Sequence, residues 1–473
     1  MEPKASDAVK DEGRSNSLDS TLTAGPWGGL DSHPPHTQIS VDGQERIAQL
    51  ARRLTTQSVS YHHPQENLPN PFTGTNDPRL NVQSEKFDPA HWARLVMRLA
   101  AEDPERYPKR KAGVSFRNLG VSGHGNPVAY QQTFASVVLR PVDLALSWFR
   151  NQKPTVRILK EHDGLIRSKE LLLVLGRPGS GVSTLLKTIA GEVRDLDLDG
   201  SSEFNYQGIP REAMHREFRG DAIYQPETEV HFPHLTAGQT LQFAALAKTP
   251  RNRFPGVSRE CYASHLRDVV MAVFGISHTI NTKVGDDFVR GVSGGERKRV
   301  SIAEVALAQS PLQCWDNSTR GLDSATAVEF VRMIRLAVDV FQFAAVISLY
   351  QAPQEAYDLF DKVTVLYEGR QIYFGPINSA KEYFVEMGYH CPDRQTVPDF
   401  LTSLTSPSER RVRPGFEDRV PRTADEFAAR WQESSPRKAL MQEIVTFEEQ
   451  YPLRGPSIHE FRSSKQTEKS PLM

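Results

Sequence analysis

Residues 171–175 are five successive Leu or Val side chains without polar alternation, and they run directly into a glycine-rich turn. A short unbroken apolar run of this kind predicts a strand buried on both faces. The segment 184–190 that follows the turn reads as a helix, which gives the opening of a parallel crossover unit. Residues 114–116 predict a first strand. Further strands are predicted at 222–224, 312–315, 344–349 and 362–367, each separated from the next by a helix-length segment. That alternation predicts an α/β domain with a largely parallel sheet. Ahead of it, Trp92, Leu95, Val96 and Leu99 recur at helical spacing behind Asp88, which can cap the start. This helix is expected to pack against the domain that follows.

The pattern also sets the boundaries. Residues 1–86 are rich in Ser, Thr, Asp, Pro and His, with one short apolar patch at 47–54. So little apolar surface cannot offset the entropy of ordering, and a mostly disordered N-terminal extension is expected. Residues 87–395 hold the α/β domain. From 396 to 473 the periodicity weakens and a linker region is expected. Within it, Thr423 and Glu426 have the spacing of a capping box, and Phe427 and Trp431 stand four apart on the helix it would open. After Tyr451 the chain turns rich in Pro, Ser and Lys, and its last residues are expected to fray.

The N-terminus has neither the apolar centre of a signal peptide nor a glycine at position 2. The longest apolar stretches, 171–175 and 343–347, fall far short of the roughly 20 residues of a membrane helix. As given, the chain reads as soluble and cytoplasmic, with no direct membrane span. A formal net charge of −1 offers no electrostatic case for nucleic acid. The clusters Lys109-Arg110-Lys111 and Arg297-Lys298-Arg299 read as solvated faces. Cys261, Cys314 and Cys391 are far apart in sequence, so neither a disulfide framework nor a zinc site is indicated.

The candidate chemistry begins at the turn after the first apolar run. Gly176, Arg177, Pro178, Gly179, Ser180, Gly181, Val182, Ser183 and Thr184 have the spacing of a phosphate-binding loop, with valine where its lysine belongs. The glycines let successive backbone N–H groups point at a phosphate, and the helix beyond adds its positive end. Ser183 can reach Mg²⁺. Val182 offers no charge to the outer phosphates. A second constellation, Ser293-Gly294-Gly295-Glu296 followed by Arg297-Lys298-Arg299, precedes Trp315-Asp316-Asn317-Ser318-Thr319-Arg320-Gly321-Leu322-Asp323.

Together these segments resemble the ATP-binding cassette superfamily. More narrowly, they resemble the N-terminal nucleotide-binding domain of fungal pleiotropic drug resistance transporters, over residues 87 to about 465. The resemblance implies a P-loop NTPase core with a helical signature subdomain, and ATP with Mg²⁺ as cofactors. It also implies partners in a second nucleotide-binding domain and in transmembrane domains outside this chain. It places Asp316 as a metal-directed carboxylate, with Ser183, and Asp323 in a turn that couples two sites. Glu227 stands where that family has a glutamine near the attacking water, Asn317 where it has the glutamate that polarises that water, and Tyr350 where it has a histidine on the γ-phosphate. An amide cannot accept the proton, and loss of a general base alone costs on the order of 10²–10⁴ in rate.

No catalytic residue is therefore expected in the chain's own site. Its Ser293 to Glu296 segment, complete in the resemblance, would be donated to the hydrolytic site of a partner domain. The resemblance further implies a piece of a longer drug-efflux protein at the cytoplasmic face of the plasma membrane. A soluble interaction protein derived from such a transporter, and an autonomous cytosolic ATPase, are the competing readings. The adenine-stacking position falls at Arg117-Asn118-Leu119, which holds no aromatic; Phe116 and Tyr130 are the nearby candidates.

Overall fold

Eleven strands lie in one sheet: β1 (Val114–His124), β2 (Thr155–Ile166), β3 (Leu171–Gly176), β4 (Leu196–Leu198), β5 (Glu203–Tyr206), β6 (Ile209–Pro210), β7 (Ala222–Gln225), β8 (Leu312–Trp315), β9 (Ala344–Ser348), β10 (Lys362–Tyr367) and β11 (Arg370–Pro376). They come from a computed structural model that describes residues 68–73, 77–124 and 155–468, all within one compact unit. The spatial order is β6-β5-β1-β2-β11-β10-β3-β9-β8-β7, with β4 beside β1. Every residue from Leu171 to Leu175 is buried, as a strand sandwiched between helix layers requires. The predicted strands at 312–315 and 362–367 have the expected bounds.

The sheet is mixed. β10, β3, β9, β8 and β7 pair in parallel, and β11 also pairs β2 in parallel at Arg370 and Lys160, whereas β1 with β2, β1 with β5, and β10 with β11 pair antiparallel. This corrects the largely parallel expectation. Pattern reading misses β2, β4, β5, β6 and β11; in β2, the longest of these, Lys160, Glu161, His162 and Asp163 interrupt the apolar run. In the fold Glu161 takes a positive φ of 54°, which bends the strand. His162 and Asp163 are buried. Asp163 is satisfied there: its Oδ1 accepts the Asn118 N–H at 2.9 Å and its Oδ2 accepts Arg437 Nη2 at 2.8 Å.

Arg437 belongs to the region read as a linker, and this is a second correction. The helices Val397–Ser403, Ala424–Glu433, Ser435–Gln450 and Pro456–Glu468 lie in the same unit as the sheet. Phe400, Leu401, Phe427, Trp431 and Ile444 join the main core. Trp431 is fully buried, 5.7 Å from the Tyr373 ring, and Phe427 stacks on Tyr389 at 5.6 Å. These side chains cover the antiparallel half of the sheet, which has no crossover helix of its own. Thr423 caps its helix through Glu426 N, but the Glu426 carboxylate accepts from Arg422 N instead of from the cap. The last described helix is not frayed: Arg462 pairs with Glu217, and Lys465 Nζ lies 2.6 Å from Asp221 Oδ2.

A second apolar cluster joins the helices Ala237–Lys248, Arg259–Val273 and Gly294–Leu307 to the predicted helix Pro89–Glu102, which Asp88 caps. Part of the stretch expected to be unstructured up to residue 86 is packed: Phe72 stacks on Tyr262 at 4.8 Å, and both Phe72 and Leu80 are buried. The apolar patch at 47–54 lies outside the described residues. Among the described residues no helix is long and apolar enough to cross a membrane.

Candidate functional site

The loop between β3 and the helix Val182–Ala190 is shaped by two positive-φ glycines, Gly179 at 85° and Gly181 at 95°. A Cβ on Gly181 would come 2.6 Å from Leu159 Cδ2, so only glycine fits where the loop crosses β2. A Cβ on Gly179 would meet nothing within 4 Å, which leaves the outer side of the loop open. From beneath, Gly369 N–H donates to Ser180 O at 3.0 Å, and Gly369 O accepts the Lys160 N–H at 2.8 Å. His162 Nε2 lies 3.1 Å from the same Gly369 oxygen. Burial pushes His162 down to about 4, so it is neutral near pH 7 and its ring donates to that carbonyl. Ser180 Oγ is buried in the loop without a hydrogen-bond partner among the described residues. Val182 is half-buried against the core, and its Cγ2 would lie 2.9 Å from a Cβ on Gly176.

The strand ends beside the loop bring a second group together. Asp316, buried at the end of β8, accepts Tyr224 O–H at 2.7 Å on Oδ2 and Ser348 O–H at 2.9 Å on Oδ1. Ser348 also accepts the Asn317 N–H at 2.8 Å. Burial, then the bond to Asp316, pushes the Tyr224 hydroxyl far above its ordinary value, so it stays a donor. Lys187, from the helix after the loop, lies 5.6 Å from the Tyr224 ring centre. Asn317 Nδ2 donates to Glu227 Oε1 at 3.0 Å, and Arg320 donates to the same oxygen. Burial works to raise Glu227, but the bonds from Arg320 and Asn317 outweigh it and hold the carboxyl below its usual range. The Glu227 backbone oxygen takes Lys298 Nζ at 2.8 Å.

Ser293 caps the helix Gly294–Leu307 in a reciprocal box: Glu296 Oε2 accepts Ser293 N–H at 2.8 Å and Ser293 O–H at 2.9 Å, while Ser293 Oγ accepts Glu296 N–H at 3.3 Å. His278 Nε2 lies 2.7 Å from Glu296 Oε1. The Ser293 N–H, and then His278, draw Glu296 down to about 2. The helix start faces solvent, with nothing within 4 Å of a Cβ on Gly294. Leu322 of the adjoining turn lies 3.9 Å from the Gly295 Cβ position, and Asp323 caps the helix Ser324–Phe341 through Thr326 N at 3.1 Å.

The fold thus gathers Glu227, Asp316 and Asn317 into one hydrogen-bonded group, with Tyr224 and Ser348 as partners that the sequence did not reveal. Tyr350 follows β9 and is half exposed; it lines a cavity with Arg177. Arg177 pairs with Glu409 at 2.9 Å. The exposed Ser293 to Glu296 cap shares no hydrogen bond with that group among the described residues. Lys298 is a correction: it is buried, not solvated, and joins its helix to the Glu227 loop. Phe116 is buried in the core and cannot stack a base; Tyr130 lies outside the described residues.

A glycine loop between a buried parallel strand and a helix, beside a buried aspartate at the end of a neighbouring strand, defines a P-loop nucleotide-binding fold. The family described as "ABC transporter" matches residues 159–320, and the one described as "ABC-transporter N-terminal" matches residues 49–137. The chain is 54% identical over 433 residues to ABC multidrug transporter atrH of Aspergillus oryzae, a match that takes in 91% of this chain and 29% of that protein. It is 52% identical over 457 residues to ABC multidrug transporter A-2 of Aspergillus fumigatus, covering 96% of this chain and 30% of that protein. A solved structure described as the ATP binding subunit of an ABC transporter shares 19% identity, with 57% of this chain and 93% of that one covered at a TM-score of 0.41. Residues 159–320 carry the ATP-binding cassette domain, and over about nine-tenths of its length the chain is similar to fungal proteins described as ABC multidrug transporters. It spans less than a third of the length of these curated relatives.

Proposed function

We propose that this chain is a nucleotide-binding domain that holds ATP on the loop from Gly176 to Thr184 without hydrolysing it there. On this reading it lends its Ser293 to Glu296 segment to the hydrolytic site of a second domain. The orphaned Ser180 hydroxyl, the open side at Gly179 and the N-terminus of the helix Val182–Ala190 suit a phosphate chain. Ser183 and Asp316 would hold Mg²⁺, which neutralises charge on the outer phosphates when bound. Each Asp316 oxygen accepts one hydrogen bond, from Tyr224 or Ser348, and keeps a second lone pair that could face the ion.

One observation carries the non-hydrolytic reading. The residue after Asp316 is an amide that donates to Glu227, and Glu227 is held ionised by Arg320. A carboxylate stabilised in this way is a weakened proton acceptor. Val182 adds no charge, and Tyr350 offers a phenol where the resembled family has a histidine on the γ-phosphate. The exposed glycine start of the Ser293 helix suits a γ-phosphate presented from across an interface. In the longer protein the relatives suggest, the partner domain would supply the missing lysine, glutamate and histidine, and the assembly would export drug-like compounds at the cytoplasmic face of the plasma membrane.

The test is a pair of measurements on the purified chain, calorimetric ATP binding and phosphate release. Saturable binding near one ATP per chain is expected, with phosphate release no faster than in Asp316→Asn. Release that is abolished by Asp316→Asn or Ser293→Ala would overturn the proposal in favour of an autonomous ATPase. Absence of binding would favour an interaction protein.

A further inference from the structure

The nucleotide loop and Asp316 stand at the C-terminal ends of the parallel strands; a cavity of about 400 Å³ among the described residues opens at their other ends. Its floor is formed by Gly220 and Asp221 before β7, Ser310 and Pro311 before β8, and Phe343 before β9. A strand of four or five residues separates the two edges by about 15 Å, so the cavity is not part of the loop site. Its walls are apolar and come from three helices: Trp92 and Val96 from Pro89–Glu102, Val270 and Val273 from Arg259–Val273, and Ile334 and Ala337 from Ser324–Phe341. A volume of this size, apolar walls and a few convergent polar groups are the features of a small-molecule site.

The polar groups are mostly cationic. Lys109, Arg110, Arg219, Lys248, Arg253 and Lys465 line the cavity against the carboxylates of Asp221 and Glu468. Those two carboxylates are committed: Asp221 accepts from Lys465 at 2.6 Å and from Arg110, and Glu468 lies 2.5 Å from Arg110. Lys248 is less committed: among the described residues its hydrogen bond is to a backbone oxygen at the limit of range, Gly220 O at 3.4 Å. Burial lowers Lys248 against the pull of Asp221, and an anion placed beside it would restore its charged form.

We propose that this cavity binds an amphipathic organic monoanion, its apolar chain between Trp92, Val270 and Ala337 and its acidic group beside Lys248. The site is separate from the nucleotide loop and does not depend on the reading of that loop.

Calorimetric titration of the full chain with decanoate, decan-1-ol and decyltrimethylammonium tests this. One decanoate per chain is expected, at least ten-fold tighter than the cationic analogue and not displaced by saturating ATP. Lys248→Met should weaken decanoate five- to ten-fold while leaving decan-1-ol unchanged. Ala337→Trp should abolish both by filling the space, and the Lys248→Met contrast decides the matter if that variant misfolds. Equal affinity for the three probes, displacement by ATP, or decanoate binding indifferent to Lys248→Met would each overturn the proposal.

Discussion

Replacing Asn317 by glutamate, the residue a hydrolytic site of this family would use, is expected to destabilise this domain unless Glu227 is changed with it. The amide nitrogen of Asn317 sits 3.0 Å from Glu227 Oε1, so a glutamate there places two carboxylates roughly 4 Å apart. At that separation like charges repel by about 1 kcal/mol in water and about 4 kcal/mol at the effective dielectric of a protein surface. Arg320 remains and Glu227 keeps a third of its side chain exposed, so about 1–2 kcal/mol is expected for Asn317→Glu near pH 7.5. The repulsion has a definite sign with pH. It raises the folded-state pKa of the pair above the unfolded value, so the penalty should fade as pH drops toward 5 and one carboxyl takes up a proton. Glu227→Gln with Asn317→Glu removes the repulsion and keeps a hydrogen bond. Urea unfolding midpoints of the two single variants and the double variant at pH 7.5 and 5.0 form the cycle. A coupling below about 0.5 kcal/mol at pH 7.5, or one that does not change with pH, would refute the claim that Glu227 is an ionised partner of residue 317.

Four further outcomes are expected. Gly181→Ala should abolish saturable ATP binding by calorimetry, because the φ of 95° and the 2.6 Å approach to Leu159 Cδ2 leave no room for a methyl group without moving the loop; retained affinity would count against the loop as the phosphate site. Ser293→Ala should cost about 1 kcal/mol by loss of the cap. Because Glu296 is drawn from its ordinary value of 4.5 down to about 2, the stability it contributes should be complete above pH 4.5 and lost as pH falls toward 2, a dependence that Glu296→Gln should flatten in acid-unfolding curves. Trp431→Ala should cost roughly 3–5 kcal/mol in urea unfolding and expose β11 to hydrogen exchange, since the indole is fully buried against Tyr373; a change below 1 kcal/mol would restore the view of residues 396–473 as a linker region.

The parallel half of the fold was legible because its strands are buried on both faces and read as unbroken apolar runs, of which residues 171–175 are the clearest. The antiparallel half was not, because β2 carries Lys160 to Asp163 through its middle and hides a buried carboxylate whose partner, Arg437, lies 274 residues away. No local pattern contains that pairing. The same physics explains the region after 396, whose short helices show little periodicity alone because they complete a core begun elsewhere: Trp431 is apolar for the sake of Tyr373, not of its own helix. At the candidate site the backbone-shaping residues Gly179 and Gly181 announce themselves, since positive φ is a local demand. The partners of Asp316 do not, since Tyr224 and Ser348 arrive from two other strands, and nothing in Ala-Ile-Tyr-Gln distinguishes a tyrosine that holds a carboxylate from one that fills space. Lys298 misled for the converse reason: in a run of three basic residues on a helix, the middle side chain faces inward by the 100° step of the helix alone, and its burial against the Glu227 carbonyl follows from that angle and not from composition. Sequence therefore discloses what the chain does to itself within one turn or one strand, while the hydrogen bonds that tune Asp316 and Glu227 belong to the sheet order, where β8 stands between β7 and β9.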